Sequence, residues 1–246
     1  MSTRTRHDGR RPDQLREIEI IRGFTQAAPG SVLFRQGRTR VLCTATIEEA
    51  VPAWREASGA GWLTAEYDML PGSTAQRRPR TRAKVDGRAA EIQRLIGRAL
   101  RGVVDLPRLG QRTLYLDCDV LEADGGTRTA AVSGAYVALC DALAEGRRRG
   151  LWGDDVLRAG VAAVSVGLVA DDLLLDLDYS EDSAAAVDCN LVMTTRGAWV
   201  EVQATAERAP FTEDDLTRVL ALGRRGLEQL FAAQQAALAR PPTRGA

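Results

Sequence analysis

The chain has a single histidine, His7, and it lies in an arginine-rich opening before any regular pattern begins. A Ser-His-Asp triad or a histidine-bound zinc needs an imidazole held on a rigid scaffold. Neither is expected here, so any catalysis must rest on carboxylates, arginines and backbone donors, with or without a metal ion. Cysteine is sparse and scattered: Cys43, Cys118, Cys140 and Cys189 form no CxxC pair, and a chain of 246 residues needs no disulfide staples. Three of them fall in apolar or alternating segments, which predicts buried thiols. There is no apolar region near the amino terminus that could act as a signal peptide. The longest uncharged apolar run, residues 159–170, is well short of the ~20 residues a membrane helix needs. These absences predict a cytoplasmic protein with no membrane partner. Net charge is missing too. Lys plus Arg is 33 and Asp plus Glu is 33, so any affinity for nucleic acid must come from local patches.

What is present centres on residues 114–129, Leu-Tyr-Leu-Asp-Cys-Asp-Val-Leu-Glu-Ala-Asp-Gly-Gly-Thr-Arg-Thr. Leu114, Leu116, Cys118 and Val120 alternate with Asp117 and Asp119, the period of a half-buried strand. Gly125-Gly126 breaks the strand, and an alanine-rich helical stretch follows Arg128. The first N–H groups of a helix lack partners and carry partial positive charge, so strand, glycine turn and helix start together form a place where anions bind. Thr127 adds a hydroxyl and Arg128 a planar fork suited to phosphate. Spacing alone equally fits a plain turn with an exposed arginine.

Residues 31–36 and 39–48 read as a hairpin around Gly37-Arg38, and residues 61–70 as a short strand ending at Pro71-Gly72. Next comes a run with five cations, Arg77, Arg78, Arg80, Arg82 and Lys84, and no acid before Asp86. It reads as a solvated loop or, because like charges repel without an anion, as a contact for a phosphate backbone. A helix is predicted from Arg88, with Ile92, Leu95, Ile96, Ala99, Leu100 and Val103 on one face. Arg88 then sits in its first turn, where the helix dipole disfavours a cation unless an anion is bound. Residues 146–153 read as a glycine-bounded break. Four strands follow, over 160–169, 173–177, 187–194 and 198–204. A last helix starts at Thr212, with Phe211 as its staple. The expected parts are a basic leader over 1–16, two β/α halves over 17–150 and 151–240, and a disordered tail over 241–246. The fold class is α+β, with two layers in each half.

Residues 178–190 hold Asp178, Glu181, Asp182 and Asp188 with no cation between them. Such acids destabilise one another unless a cation is shared, and hard oxygen ligands suit Mg²⁺ or Mn²⁺. An acidic surface turn is the other reading. With arginines in two separate segments, the inventory suits phosphoryl chemistry.

Several motifs, in order, resemble the ribonuclease PH family of phosphorolytic 3′ exoribonucleases. They are Asp8-Gly9-Arg10, residues 41–46 (Val-Leu-Cys-Thr-Ala-Thr), residues 61–67 (Gly-Trp-Leu-Thr-Ala-Glu-Tyr), residues 91–98 (Glu-Ile-Gln-Arg-Leu-Ile-Gly-Arg), residues 116–129 and residues 181–185 (Glu-Asp-Ser-Ala-Ala). The resemblance implies a fold like domain 2 of ribosomal protein S5, in two related halves, and a homohexamer built as three dimers. It implies an RNA substrate, the 3′ ends of tRNA precursors with ribosomal RNA as a further target, and inorganic phosphate as attacking group. It assigns phosphate binding to Arg88, Gly126, Thr127 and Arg128. Catalysis and the metal, Mg²⁺ or Mn²⁺, go to Asp182 and Asp188, and RNA guidance goes to Arg77, Arg78, Arg80, Arg82 and Lys84. The family commonly has an acid just before the second aspartate; Ala186 stands there instead. A non-catalytic RNA-binding ring subunit is the alternative the same fold allows.

Overall fold

A computed structural model describes residues 6–80, 86–170, 172–208 and 210–243. In chain order the strands and helices are β1 (Ile18–Arg22), β2 (Gly30–Gln36), β3 (Thr39–Glu48), α1 (Ala53–Glu56), β4 (Trp62–Met69), α2 (Gly87–Arg101), α3 (Leu106–Leu109), β5 (Thr113–Glu122), α4 (Thr127–Arg148), β6 (Val161–Val169), β7 (Asp172–Leu175), α5 (Tyr179–Ala184), β8 (Val187–Thr194), β9 (Trp199–Ala206) and α6 (Glu213–Leu238). They form two sheets, ordered β1-β2-β3-β5-β4 and β7-β6-β8-β9. Among the described residues only the β4–β5 pair is parallel, and its crossover carries α2, as a parallel pair requires.

The two halves share one core. Helix α4 is buried along most of its length and packs on β2 and β3 of the first sheet and on β6 of the second. Ala130, Ala131, Ala135 and Ala138 are fully buried on it, and their small side chains let strands approach from both sides. Gln234 of α6 ties the halves, donating to Ser133 O at 3.0 Å and Val161 O at 3.2 Å. This is the expected α+β fold, each half a sheet covered by helices.

The β2–β3 hairpin and β8 fall where the alternating pattern puts them. Three stretches differ. The break expected from Gly146 is inside α4, which continues to Arg148. Gly146 is a packing residue, since the Trp152 indole lies against its Cα and a side chain there would overlap the ring. Trp152 Nε1 donates to Leu143 O at 2.9 Å. The strand expected to reach Leu177 ends at Leu175 because Asp176 takes a left-handed conformation, φ 56°. The acidic run after it is partly a short helix, α5, closed by a reciprocal capping box between Asp178 and Glu181.

Residues 6–16 pack against the second half. Arg6, Arg10 and Arg16 are buried. Arg6 donates to Leu175 O at 2.7 Å and to Asp176 O at 2.9 Å, and it pairs with the Glu181 carboxylate. Arg10 donates to Asp176 O at 2.9 Å. At the other end, Thr243 Oγ1 donates to Arg22 O at 3.1 Å.

Candidate active site

The site forms where the N-termini of α2 and α4 meet the second half. Asp86 caps α2, accepting from Arg88 N at 3.1 Å. The α4 N-cap is Gly126, left-handed at φ 64°, and it makes no side-chain cap bond. The first N–H groups of α4 are thus free of the partner most helices supply to them. Thr127 is buried, and its hydroxyl lies 2.8 Å from Tyr67 Oη. Gly125, at φ 75°, packs so closely on the chain before α5 that a Cβ would lie 2.6 Å from Leu177 O.

Arg88 and Arg128 sit in the first turns of α2 and α4, and neither first turn contains an acid. Their guanidinium groups act on the same neighbours. Both lower the Asp182 carboxyl, against the burial that pushes it above the usual carboxylate range. Both also act on the Tyr67 hydroxyl, which burial pushes up. Arg128 is anchored across the halves: its Nη1 donates to Gln203 Oε1 of β9 at 2.8 Å and lies 3.4 Å from Glu91 Oε1 of α2. Gln203 Nε2 closes the triangle on Glu91 Oε1 at 2.9 Å.

Asp182 lies on α5 and Asp188 on β8. Burial raises Asp188, the Asp182 charge raises it further, and Arg128 opposes both. Asn190 Nδ2 donates to Asp188 Oδ2 at 3.1 Å. Glu207 adds negative charge to both aspartates, and its N–H donates to Ala186 O at 2.9 Å. Acidic charge therefore stands close to the position where the sequence has Ala186. Two half-buried carboxylates that repel each other, with a third acid beside them, fit a hard divalent cation.

The four acids of 178–188 do not act as one cluster. Asp178 and Glu181 turn to the leader: His7 Nε2 lies 3.1 Å from Asp178 Oδ2, and Arg6 holds Glu181. Their like charge is relieved by arginines more than 160 residues away, with no ion needed. Asp182 lies under the charge of both Arg88 and Arg128, and Asp188 under that of Arg128.

The basic loop has acid company as well. Arg78 Nη2 lies 2.8 Å from Asp86 Oδ2. Arg80 acts on Asp119, lowering a carboxyl that burial and its acidic neighbours raise. Arg78 and Arg80 line a cleft of about 600 Å³ with Glu66, Asp68 and Asp119 on its walls. Arg77 is exposed, and Arg82 and Lys84 lie outside the described residues. The protein itself thus balances part of the charge that suggested a backbone contact.

Sequence reading gave no role to Tyr67 of β4, Glu91 of α2, Gln203 of β9 or Glu207 just after β9, although Tyr67 and Glu91 fall inside quoted motifs. It also missed Arg16, whose partners are 108 to 160 residues away. One signal was available for α5: Asp-x-x-Glu over 178–181 is a capping-box pattern. Cys43, Cys118 and Cys189 are buried as expected, and burial, aided by Asp188, pushes the Cys189 thiol up to about 12. Among the described residues, no helix is long and apolar enough to cross a membrane.

Comparison with known proteins gives this geometry its family. Residues 14–145 match the 3′ exoribonuclease family, domain 1, and residues 160–226 match its domain 2. A protein named ribonuclease PH from Corynebacterium kroppenstedtii is 51% identical over 243 residues, covering 98% of this chain and 96% of its own. Another of that name, from Rhodococcus erythropolis, is 54% identical over 240 residues, covering 96% and 92%. Among solved structures, rice (Oryza sativa) Rrp46 has a TM-score of 0.78 at 19% identity, covering 95% of this chain and 100% of that one. The Archaeoglobus fulgidus exosome with RNA bound to its active site has a TM-score of 0.77 at 22% identity, covering 92% and 91%. At those identities the likeness is one of fold. Matched in both halves and about half identical to its relatives from end to end, the chain belongs to the ribonuclease PH family of 3′ exoribonucleases.

Proposed function

We propose that the chain is a phosphorolytic 3′-5′ exoribonuclease that removes the 3′-terminal nucleotides of tRNA precursors with inorganic phosphate and releases nucleoside diphosphates. The observation that carries this is that Arg88 and Arg128, in the first turns of α2 and α4, both stand near enough to Asp182 to lower its carboxyl. A cation in the first turn of a helix is unfavourable, and two of them converging make a seat for a small dianion.

In this reading Arg88, Arg128, Thr127 and the N–H groups after Gly126 hold orthophosphate in line with the last phosphodiester. An oxygen of orthophosphate bonds to that phosphorus. The bond from phosphorus to the 3′ oxygen of the preceding nucleotide breaks, and the proton that orthophosphate carried in ends on that oxygen. Orthophosphate is already a nucleophile at neutral pH, so no histidine base is required, and positioning and charge neutralisation supply the rate. Asp182 and Asp188 would hold Mg²⁺ or Mn²⁺, which would offset the charge on the scissile phosphate and the leaving oxygen. Arg77, Arg78, Arg80, Arg82 and Lys84 guide the RNA strand. Activity is cytoplasmic, in a homohexamer built as three dimers. The intact arginine and aspartate sets favour an enzyme over a non-catalytic RNA-binding ring subunit.

The test supplies a short RNA and Mg²⁺ with and without phosphate and separates the products. Nucleoside diphosphates released only with phosphate are expected. Nucleoside monophosphates, or shortening that ignores phosphate, overturn the proposal.

A further inference from the structure

The turn that precedes α4 is held from beneath by two buried side chains that no step above uses. Arg16 is 7% exposed. Its Nη1 donates to Asp124 O at 2.5 Å, and Nη1 and Nη2 both reach Gly125 O at 3.5 Å. Thr39 is fully buried; its Oγ1 donates to Gly125 O at 2.7 Å and accepts from Asp124 N at 3.0 Å. The carbonyls of residues 124 and 125 are therefore both drawn toward this pair.

A peptide unit is planar and trans, so its N–H points opposite to its C=O. The N–H groups in the same units belong to Gly125 and Gly126, and they are turned away from the pair. Successive N–H groups aimed to one side make an anion-binding concavity, here continuous with the free first N–H groups of α4. Gly125 and Gly126 both have φ between 60° and 80°. Glycine visits that region freely, so the turn does not hold this shape on its own account.

Arg16 is not itself available to a ligand. Its N–H donates to Asp176 Oδ2 at 2.8 Å, its Nε to the same oxygen at 3.1 Å and its Nη2 to Oδ1 at 2.6 Å. Asp176, 1% exposed, is fixed in turn by Arg6 and Arg10 on its carbonyl. The leader, the bend after β7 and the glycine turn are one hydrogen-bonded unit.

We propose that Arg16 and Thr39 are positioning residues, a carbonyl clamp that aims the Gly125 and Gly126 N–H groups and thereby sets the affinity for orthophosphate. The inference rests on the phosphorolytic reading of the site. It makes the leader part of the active centre through its geometry, with no leader residue touching the substrate.

The experiment compares the wild-type chain with Thr39→Val, Arg16→Lys and Arg16→Met. It measures the KM for phosphate, kcat at saturating phosphate, RNA affinity by filter binding, and orthophosphate affinity by calorimetry. Thr39→Val keeps the volume and removes both hydroxyl bonds. It should raise the KM and Kd for phosphate roughly tenfold or more, equivalent to about 1.4 kcal/mol, with RNA affinity unchanged. Arg16→Lys should retain part of the phosphate affinity that Arg16→Met loses, because an ammonium can hold one carbonyl but not fork over two. Lowered thermal stability with an unaltered phosphate KM and Kd in Thr39→Val would overturn the clamp. Phosphate-independent turnover of the wild-type chain would overturn the phosphorolytic reading instead. In that case the calorimetric comparison still decides whether the clamp sets anion affinity.

Discussion

Replacing Arg128 with alanine should separate ligand binding from folding. In the ligand-free protein the guanidinium sits in the first turn of α4, where a cation costs about 0.3–1 kcal/mol. Its charge-assisted bond to Gln203 at 2.8 Å returns about 1.5 kcal/mol at the lower end of its range. The difference is about 1 kcal/mol, so without phosphate the variant should melt only about 2–4 °C below the wild type. With phosphate the two should diverge. At one hundred times the Kd, a ligand stabilises by about 2.7 kcal/mol, and at roughly 2–4 °C per kcal/mol for a chain of this size the wild-type Tm should rise by about 5–11 °C. Losing two charge-assisted hydrogen bonds at the lower end of their range removes about 3 kcal/mol, or about 150-fold in Kd. The same phosphate concentration would then stabilise the variant by only ~0.3 kcal/mol, a shift of about 1 °C. Differential scanning calorimetry over a phosphate series reads all of this. A phosphate-induced rise as large in the variant as in the wild type would refute the placement of the anion at Arg128.

Other consequences follow from the same geometry. Asp188→Asn should abolish turnover while leaving Tm unchanged or higher, because it removes the repulsion between two half-buried carboxylates; a variant that turns over at the wild-type rate with Mg²⁺ contradicts the role given to the pair. Burial alone would raise the Asp176 carboxyl, but Arg16 beside it outweighs that and holds it below the ordinary 3.8. A depressed carboxylate contributes stability above its unfolded pKa, and that stability is lost as pH falls through the lower folded value. The wild type should therefore lose stability below about pH 4, and Asp176→Asn, which leaves Arg16 unpaired, should lose about 3–5 kcal/mol at neutral pH and show a shallower acid limb in urea titrations. Gly126→Ala forces a side chain to φ 64° and to within 3.0 Å of Arg16 Nη2. It should cost on the order of 1–2 kcal/mol and reduce phosphate-dependent turnover more than RNA binding; equal loss of both in paired assays contradicts the turn's assignment.

Much of this was legible in the sequence, for physical reasons that differ from element to element. β3 was plain because one face is buried and the side-chain period is two, while β2 and β8, buried on both faces, showed as short apolar runs. The start of α6 was plain because Thr212 caps it through its own hydroxyl, a bond local in sequence. Arg88 and Arg128 could be placed in first turns from the glycines and the capping aspartate alone. What stayed hidden depends on contacts distant in sequence. Gly146 signals a break until Trp152 is seen to lie against it. The sequence marks residues 1–16 only as a basic leader; that its arginines are buried against Asp176 and Glu181 depends on partners more than 150 residues away. The acidic stretch looked like one cluster, and only the fold divides it into a pair that meets the leader and a pair beside Arg88 and Arg128. β1, a mixed Ile-Glu-Ile-Ile-Arg edge strand paired with β2 alone, has too few residues and too little alternation to stand out.

The central claim is that orthophosphate enters the reaction as the nucleophile, seated by Arg88 and Arg128. The most direct measurement supplies radiolabelled orthophosphate with unlabelled RNA and follows the label. The account predicts that each nucleotide leaves as a diphosphate carrying the label in its β position, and that Arg128→Ala loses this transfer. Released nucleotides that carry no label would contradict it.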